Sequence, residues 1–181
     1  MIELKAHSAG NGLDPIKTTD VDVTEIWPLE LYSVAPFRGQ EDTVSEALRA
    51  QFGLPLPAIG KVSTSADRRV FWSGRGHFFV MGGAPGALRA AVTDQSDAWC
   101  AVGITGADML DVLARLCPLD LESMPEGAVA RSLIGHMQAI ILRVGDGFEL
   151  MVFRAFAHTL WRELGEVARS VEAQHDLINR A

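Results

Sequence analysis

Two glycine-bearing turns constrain this chain most. Gly74-Arg75-Gly76 separates Val70-Phe71-Trp72-Ser73 from His77-Phe78-Phe79-Val80-Met81, and Gly145-Asp146-Gly147 separates an apolar run over residues 137–144 from another over 148–153. Short β-branched and aromatic runs about a tight glycine turn predict β-hairpins. Each hairpin is preceded by the same series. In the first half it is a strand over residues 25–34, a helix over 41–52 and the link Leu54-Pro55-Leu56-Pro57; in the second it is a strand over 99–104, a helix over 107–116 and Cys117-Pro118-Leu119. A further helix is predicted after each hairpin, over residues 84–92 and from Ala155 to about Glu172. The recurring order reads as a duplication. The fold class expected is α+β, built from two ferredoxin-like βαββα halves with antiparallel sheets. Residues 1–24 are expected to form a flexible N-terminal arm, and 25–181 a single unit with halves at about 25–92 and 93–181.

The helices are read from their apolar spacing. Val44, Ala47, Leu48 and Phe52 recur at helical intervals, with Asp42 and Thr43 as N-cap candidates and Gly53 as the stop. Leu110, Leu113 and Leu116 line the second helix. In the last, Leu160, Leu164, Val167 and Val171 share a face, while Arg162, Glu163, Glu166 and Arg169 take the other. Residues 128–133 and 137–144 are strands around Gly135-His136. Pro28 argues against a central position for its own segment. Residues 8–24, rich in Ser, Gly, Asn, Asp and Thr, show little apolar periodicity, hence the expected arm.

Charge excludes one class of partner. Lys and Arg number 16 against 23 Asp and Glu, a formal net charge of −7 that argues against nucleic acid. Residues 91–181 hold 7 basic and 13 acidic side chains and no lysine, a surface whose cations are all arginine and therefore suited to ion pairs at a protein interface. The N-terminus has no apolar run behind a basic start, and no run approaches a membrane span, so a soluble cytoplasmic protein is expected. Cys100 and Cys117 read as buried free thiols of a reducing compartment.

No catalytic set emerges from the residues. His7, His77, His136, His158 and His175 lack a short ligand spacing. His136 is either a ligand or proton carrier, or a turn or interface residue; His158 is read as a local hydrogen-bonding group at a helix start. Gly82-Gly83-Ala84-Pro85-Gly86 sits between a strand and an expected helix, a phosphate-binding context, but Pro85 removes a donor and the Gly-Lys-Ser/Thr ending is absent. Ser63-Thr64-Ser65 with Asp67 forms a polar loop whose carboxylate could serve an amine or a pteridine ring, or simply face solvent. Trp27, Trp72, Trp99 and Trp161 are taken as core or interface anchors. No catalytic, cofactor-binding or metal residue is assigned.

Several motifs together carry a resemblance. Residues 47–57, Val92-Thr93-Asp94-Gln95-Ser96-Asp97-Ala98-Trp99, Leu116-Cys117-Pro118-Leu119-Asp120-Leu121, Gly135-His136 and Arg154-Ala155-Phe156-Ala157-His158-Thr159-Leu160-Trp161 resemble the gamma subunit of heterotetrameric sarcosine oxidase. That family is in turn similar to the folate-binding domains of the glycine-cleavage T-protein. Gly106-Ala107-Asp108-Met109 resembles a helix start there, with Ala107 where proline is usual, and residues 76–81 resemble its apolar strand, followed here by Gly82-Gly83-Ala84. The T-protein's acidic pair would fall near Asp67, where Arg68 replaces the second acid. The resemblance implies a folate-binding (aminomethyltransferase-type) fold and a non-catalytic subunit supporting oxidative demethylation of sarcosine to glycine, with tetrahydrofolate as one-carbon acceptor. It implies alpha, beta and delta subunits as partners, chiefly alpha, and places FAD, FMN and NAD on the large subunits and zinc on the small delta subunit. A folate-dependent aminomethyl-transfer enzyme acting alone, or a free-standing interaction protein on the same fold, are the alternatives; self-association of the isolated chain is a further partner expectation.

Overall fold

The computed structural model describes residues 5–27, 29–65 and 67–179. Its strands are β1 (Ile16–Lys17), β2 (Asp22–Glu25), β3 (Leu31–Pro36), β4 (Val62–Ser65), β5 (Arg68–Gly74), β6 (His77–Met81), β7 (Ala90–Asp94), β8 (Trp99–Thr105), β9 (Val129–Ile134), β10 (Met137–Val144) and β11 (Gly147–Phe153). Its helices are α1 (Glu41–Phe52), α2 (Met109–Ala114) and α3 (Ala157–Asn179), the last entered through a single 3-10 turn. One antiparallel sheet runs β1-β2-β8-β11-β10-β9, and a second runs β4-β5-β6-β3-β7. The class is α+β with two antiparallel sheets, as the sequence predicts.

The duplication is visible in strand order. In the first half β3 pairs with β6, β6 with β5 and β5 with β4; in the second, β8 pairs with β11, β11 with β10 and β10 with β9. Each half is thus a strand, a helix and a three-stranded meander whose last strand returns beside the first. The halves meet where β4 approaches β9: Lys61 bridges Ala128, the Val129 N–H donates to Gly60 O at 2.8 Å and the Val62 N–H to Gly127 O at 3.1 Å.

Packing makes four layers. Cys100, Val102, Ile104, Ala139, Ile141, Leu150 and Val152 turn one face of the first sheet to α2 and α3. The other face, with Trp99, Ala101, Ile140, Leu142 and Met151, meets Leu31, Phe71, Phe79 and Met81 of the second sheet. The outer face of the second sheet, Val34, Val70 and Val80, is covered by Val44, Leu48 and Phe52 of α1. Covering on both sides explains why β10 reads as a nearly unbroken apolar run. Each fully buried Leu, Ile or Phe contributes about 1.5–3 kcal/mol. Phe71, Phe79 and Trp99 stack edge to face in the middle layer, with centroids 5.6 and 5.5 Å apart.

The N-cap of helix α1 is Gln40 and not Asp42 or Thr43; Glu41 and Asp42 instead fall in its first turn, where they complement the helix dipole. Gly53 ends it at φ 73°, its N–H donating to Arg49 O at 2.9 Å.

Several expectations change. In place of one strand over 25–34, β2 ends at Glu25 and β3 begins at Leu31, and the helix expected over 107–116 is confined to α2. Within the arm expected at 1–24, residues 1–4 lie outside the described residues, but residues 16–25 enter the first sheet as β1 and β2. Val21 and Val23 are buried against Ile104 and Val102, because β8 offers a free edge to any neighbouring strand of the right pattern. The helix expected over 84–92 is absent. Residues 83–89 are irregular and β7 pairs with β3, a state that β-branched Val92 and Thr93 favour and Pro85 and three glycines permit. The last helix runs on to Asn179. The reading of Pro28 falls outside the described residues.

Candidate functional site

The residues singled out in the sequence do not converge. Asp67 lies exposed in the turn between β4 and β5, its carbonyl 2.6 Å from where a Cβ on Gly82 would stand. Arg68 turns away over the Phe52 ring at 5.1 Å, and Arg69 turns inward between the sheets. Asp67 lines none of the cavities described below. The glycines 82, 83 and 86 precede no helix, which removes the phosphate-binding context; the Gly86 N–H donates to Gln51 Oε1 at 2.7 Å. Cys100 is buried on β8, and burial pushes its thiol up to about 12, with Glu25 adding to the rise, so the nucleophilic thiolate is suppressed. Cys117 is buried, its Sγ 3.9 Å from Ser132 Oγ. His136 is exposed in the β9–β10 turn.

What the fold does assemble is a groove along α3, of about 810 Å³, closed on its other side by residues 13–18. The segment is tethered at both ends. The Trp161 Nε1–H donates to Asp14 O at 2.8 Å, and Thr19 donates its N–H and hydroxyl to Glu172 Oε1 at 2.9 and 2.8 Å. These two bonds hold the Glu172 carboxyl below its ordinary range. Gly165 sits mid-helix, where glycine costs about 1 kcal/mol relative to alanine; a Cβ there would stand 3.6 Å from Ile16 Cδ1. That distance is ordinary van der Waals contact, and the nearer neighbour of such a Cβ is Arg169 Nη1 at 3.3 Å. Lys17, His158, Arg162 and Arg169 line the groove with Asp14 and Glu172. Lys17 pairs with Asp22 at 3.3 Å, and Arg162 lies 3.8 Å from both Glu163 and Glu166. The groove can hold a polar or anionic group, but no serine or cysteine lines it.

A second cluster is built by α2 and α3. His175 Nδ1 lies 2.8 Å from Asp108 Oδ2 and its Nε2 3.7 Å from Asp111 Oδ2, and the donor atoms of all three fall within 4.8 Å. Such a set could hold a divalent ion; here the contacts of His175 with Asp108 and Asp111 tie the end of α3 to the start of α2. No local spacing announces it, since the residues meet only when the helices pack. Between the sheets, Arg69 Nη1 meets Glu149 Oε2 at 2.7 Å with both side chains largely buried, and Arg131 Nη1 donates to Ser73 O at 3.0 Å. These charges join one half to the other.

Comparison with known proteins follows this geometry. A chain of heterotetrameric sarcosine oxidase from Corynebacterium sp. U-96, solved in complex with pyrrole 2-carboxylate, superposes with a TM-score of 0.80 at 18% identity, over 92% of this chain and 96% of that one. The fold is that of a sarcosine oxidase chain. Aminomethyltransferase T of the glycine cleavage system from Bartonella henselae superposes at 0.56 and 16% identity, over 80% of this chain and 45% of that one. In sequence, an aminomethyltransferase of Streptomyces avermitilis is 33% identical over 85 residues, 45% of this chain. The match spans 23% of that curated relative. No family model matches the chain. Among the described residues no helix is long and apolar enough to cross a membrane.

Proposed function

We propose that this chain is the gamma-type, non-catalytic subunit of a heterotetrameric sarcosine oxidase. The observation that carries the reading is reciprocal coverage: the similarity takes in 92% of this chain and 96% of the oxidase chain, so the two share one fold over nearly all the residues compared. Against aminomethyltransferase T the shared part is 45% of the other chain, which is the relation of a domain to a larger enzyme. A structural role is supported by the chemistry of the site residues. Asp67 faces solvent next to arginine, the Cys100 thiol is held protonated, and the charged groups between the sheets are spent on each other. On this reading FAD, FMN, NAD and tetrahydrofolate belong to the rest of the assembly. The chain packs on alpha within an alpha, beta, gamma and delta complex that demethylates sarcosine to glycine in the cytoplasm.

The test is co-expression with the alpha, beta and delta chains and purification through a tag on this one. The expected eluate is yellow with flavin and oxidises sarcosine; an eluate without a flavin-bearing chain overturns the reading. The aminomethyltransferase likeness favours one other reading, folate-dependent transfer by this chain alone. Calorimetric titration of the isolated chain with tetrahydrofolate decides that case, and no heat of binding is expected.

A further inference from the structure

The two sheets have four edges, and three are managed. The β4 and β9 edges meet each other through the Lys61–Ala128 bridge. Strand β1 is two residues long and lies under α3, to which the Thr19–Glu172 hydrogen bonds fasten the chain. The fourth, β7, is open. Its counterpart in the duplication is β2, which likewise lies outside the first strand of its half, beside β8; β2 is covered by β1, whereas among the described residues β7 pairs with β3 alone.

The hydrogen bonds fix which of its groups point outward. The Phe37 N–H donates to Arg89 O at 3.0 Å and the Gln95 N–H to Leu31 O at 2.8 Å. Odd-numbered residues of β7 therefore face β3 across the antiparallel register, and the N–H and C=O groups of Ala90, Val92 and Asp94 face out. Residues 91–94 are exposed, with Val92 at 39%. The strand carries no lysine, no proline and no bulge, the features by which edge strands avoid pairing with their own copies.

From this we infer that β7 is a pairing edge for a second copy of this chain. An antiparallel copy centred on Val92 sets Val92 opposite Val92 and Ala90 opposite Asp94. Every outward residue then meets an outward residue, and a two-fold axis runs through the middle. No like charges face one another in that register: Asp94 opposes Ala90, and Arg89 opposes Gln95. The product is a continuous ten-stranded sheet with both α1 helices on the same face. The contact is narrow, so the dimer forms by mass action at high concentration. This inference does not depend on the oxidase reading.

Sedimentation velocity of the full chain over a concentration series tests it, with native folding checked by circular dichroism. The wild type is expected to pass from a species of 19.6 kDa to one of twice that mass as concentration rises. Val92→Pro, which deletes an outward N–H and no bond to β3, should remain at the monomer mass throughout. Val92→Lys and Val92→Asp should each lose the dimer through like charges across the axis, and their equimolar mixture should regain it. A wild type that stays monomeric overturns the inference, as does a dimer indifferent to these variants or a mixture that stays monomeric.

Discussion

Replacing Glu149 with glutamine should loosen the two sheets at one point and leave each sheet intact. Its Oε2 lies 2.7 Å from Arg69 Nη1, and the two side chains keep 15% and 17% of their exposure. With the carboxylate's charge gone, Arg69 keeps as acceptors a neutral glutamine carbonyl and Met81 Sδ at 3.3 Å, both weaker partners for a guanidinium in a nearly dry layer. Breaking one side of a fully buried pair costs about 3–5 kcal/mol. The remaining exposure lets water reach the arginine, so the expected loss is about 2 kcal/mol. For a chain of this length that is a fall in Tm of about 4–8 °C. The double variant Arg69→Met, Glu149→Leu should recover to within about 1 kcal/mol of the wild type, since two matched apolar side chains replace two matched charges. Urea unfolding followed by tryptophan fluorescence measures both, and adding the single variants Arg69→Met and Glu149→Leu completes a double-mutant cycle. A Glu149→Gln variant as stable as the wild type, or a double variant that loses the sum of the losses of Arg69→Met and Glu149→Leu, refutes the pairing.

Further outcomes follow from the same geometry. Gly106 has φ 113°, and a Cβ there would run into the Asp20 carbonyl, so Gly106→Ala should cost about 3 kcal/mol in urea unfolding. Gly12→Ala, with φ 84° but open space around it, should cost about 1 kcal/mol. At pH 8 a thiol with a pKa of about 12 is ionised to roughly one part in ten thousand, so Cys100 should react with a thiol reagent only after denaturation. Native reactivity like that of a free thiol would refute its burial. The lowered Glu172 carboxyl makes the Thr19 tether fully present above the ordinary glutamate range and lost as pH falls through the lower folded value. Exchange of the Thr19 amide, corrected for its intrinsic rate, should lose protection on acidification, and Glu172→Gln should flatten that dependence.

The sequence spoke clearly wherever a local signal and the tertiary fold agreed. Val44, Leu48 and Phe52 mark the buried face of α1, and the glycine turns place the β5–β6 and β10–β11 hairpins within a residue of where they form. It was silent where a strand exists because of its neighbour. Val21 and Val23 sit in a polar stretch with no periodicity of their own and become core only beside β8. Residues 84–92 carry alanine and leucine at helix-compatible spacing, yet β3 has an edge that Val92 and Thr93 fill better. The groove escaped notice for the same reason: its walls, residues 13–18 and the His158–Arg162–Arg169 stripe, are far apart in sequence and are joined by Trp161 and Glu172. Asp67 lies exposed in the β4–β5 turn, while Ser63, Thr64 and Ser65, expected to share a polar loop with it, form strand β4 because they pair with β5.

The central claim, that this chain is a subunit of a flavin-bearing oxidase, meets its most direct test in native mass spectrometry of that oxidase purified through a tag on its large flavin-bearing chain. The expected result is an active complex whose mass includes this chain of 19.6 kDa, released intact on activation in the gas phase. A fully active oxidase whose mass is accounted for without it would contradict the claim.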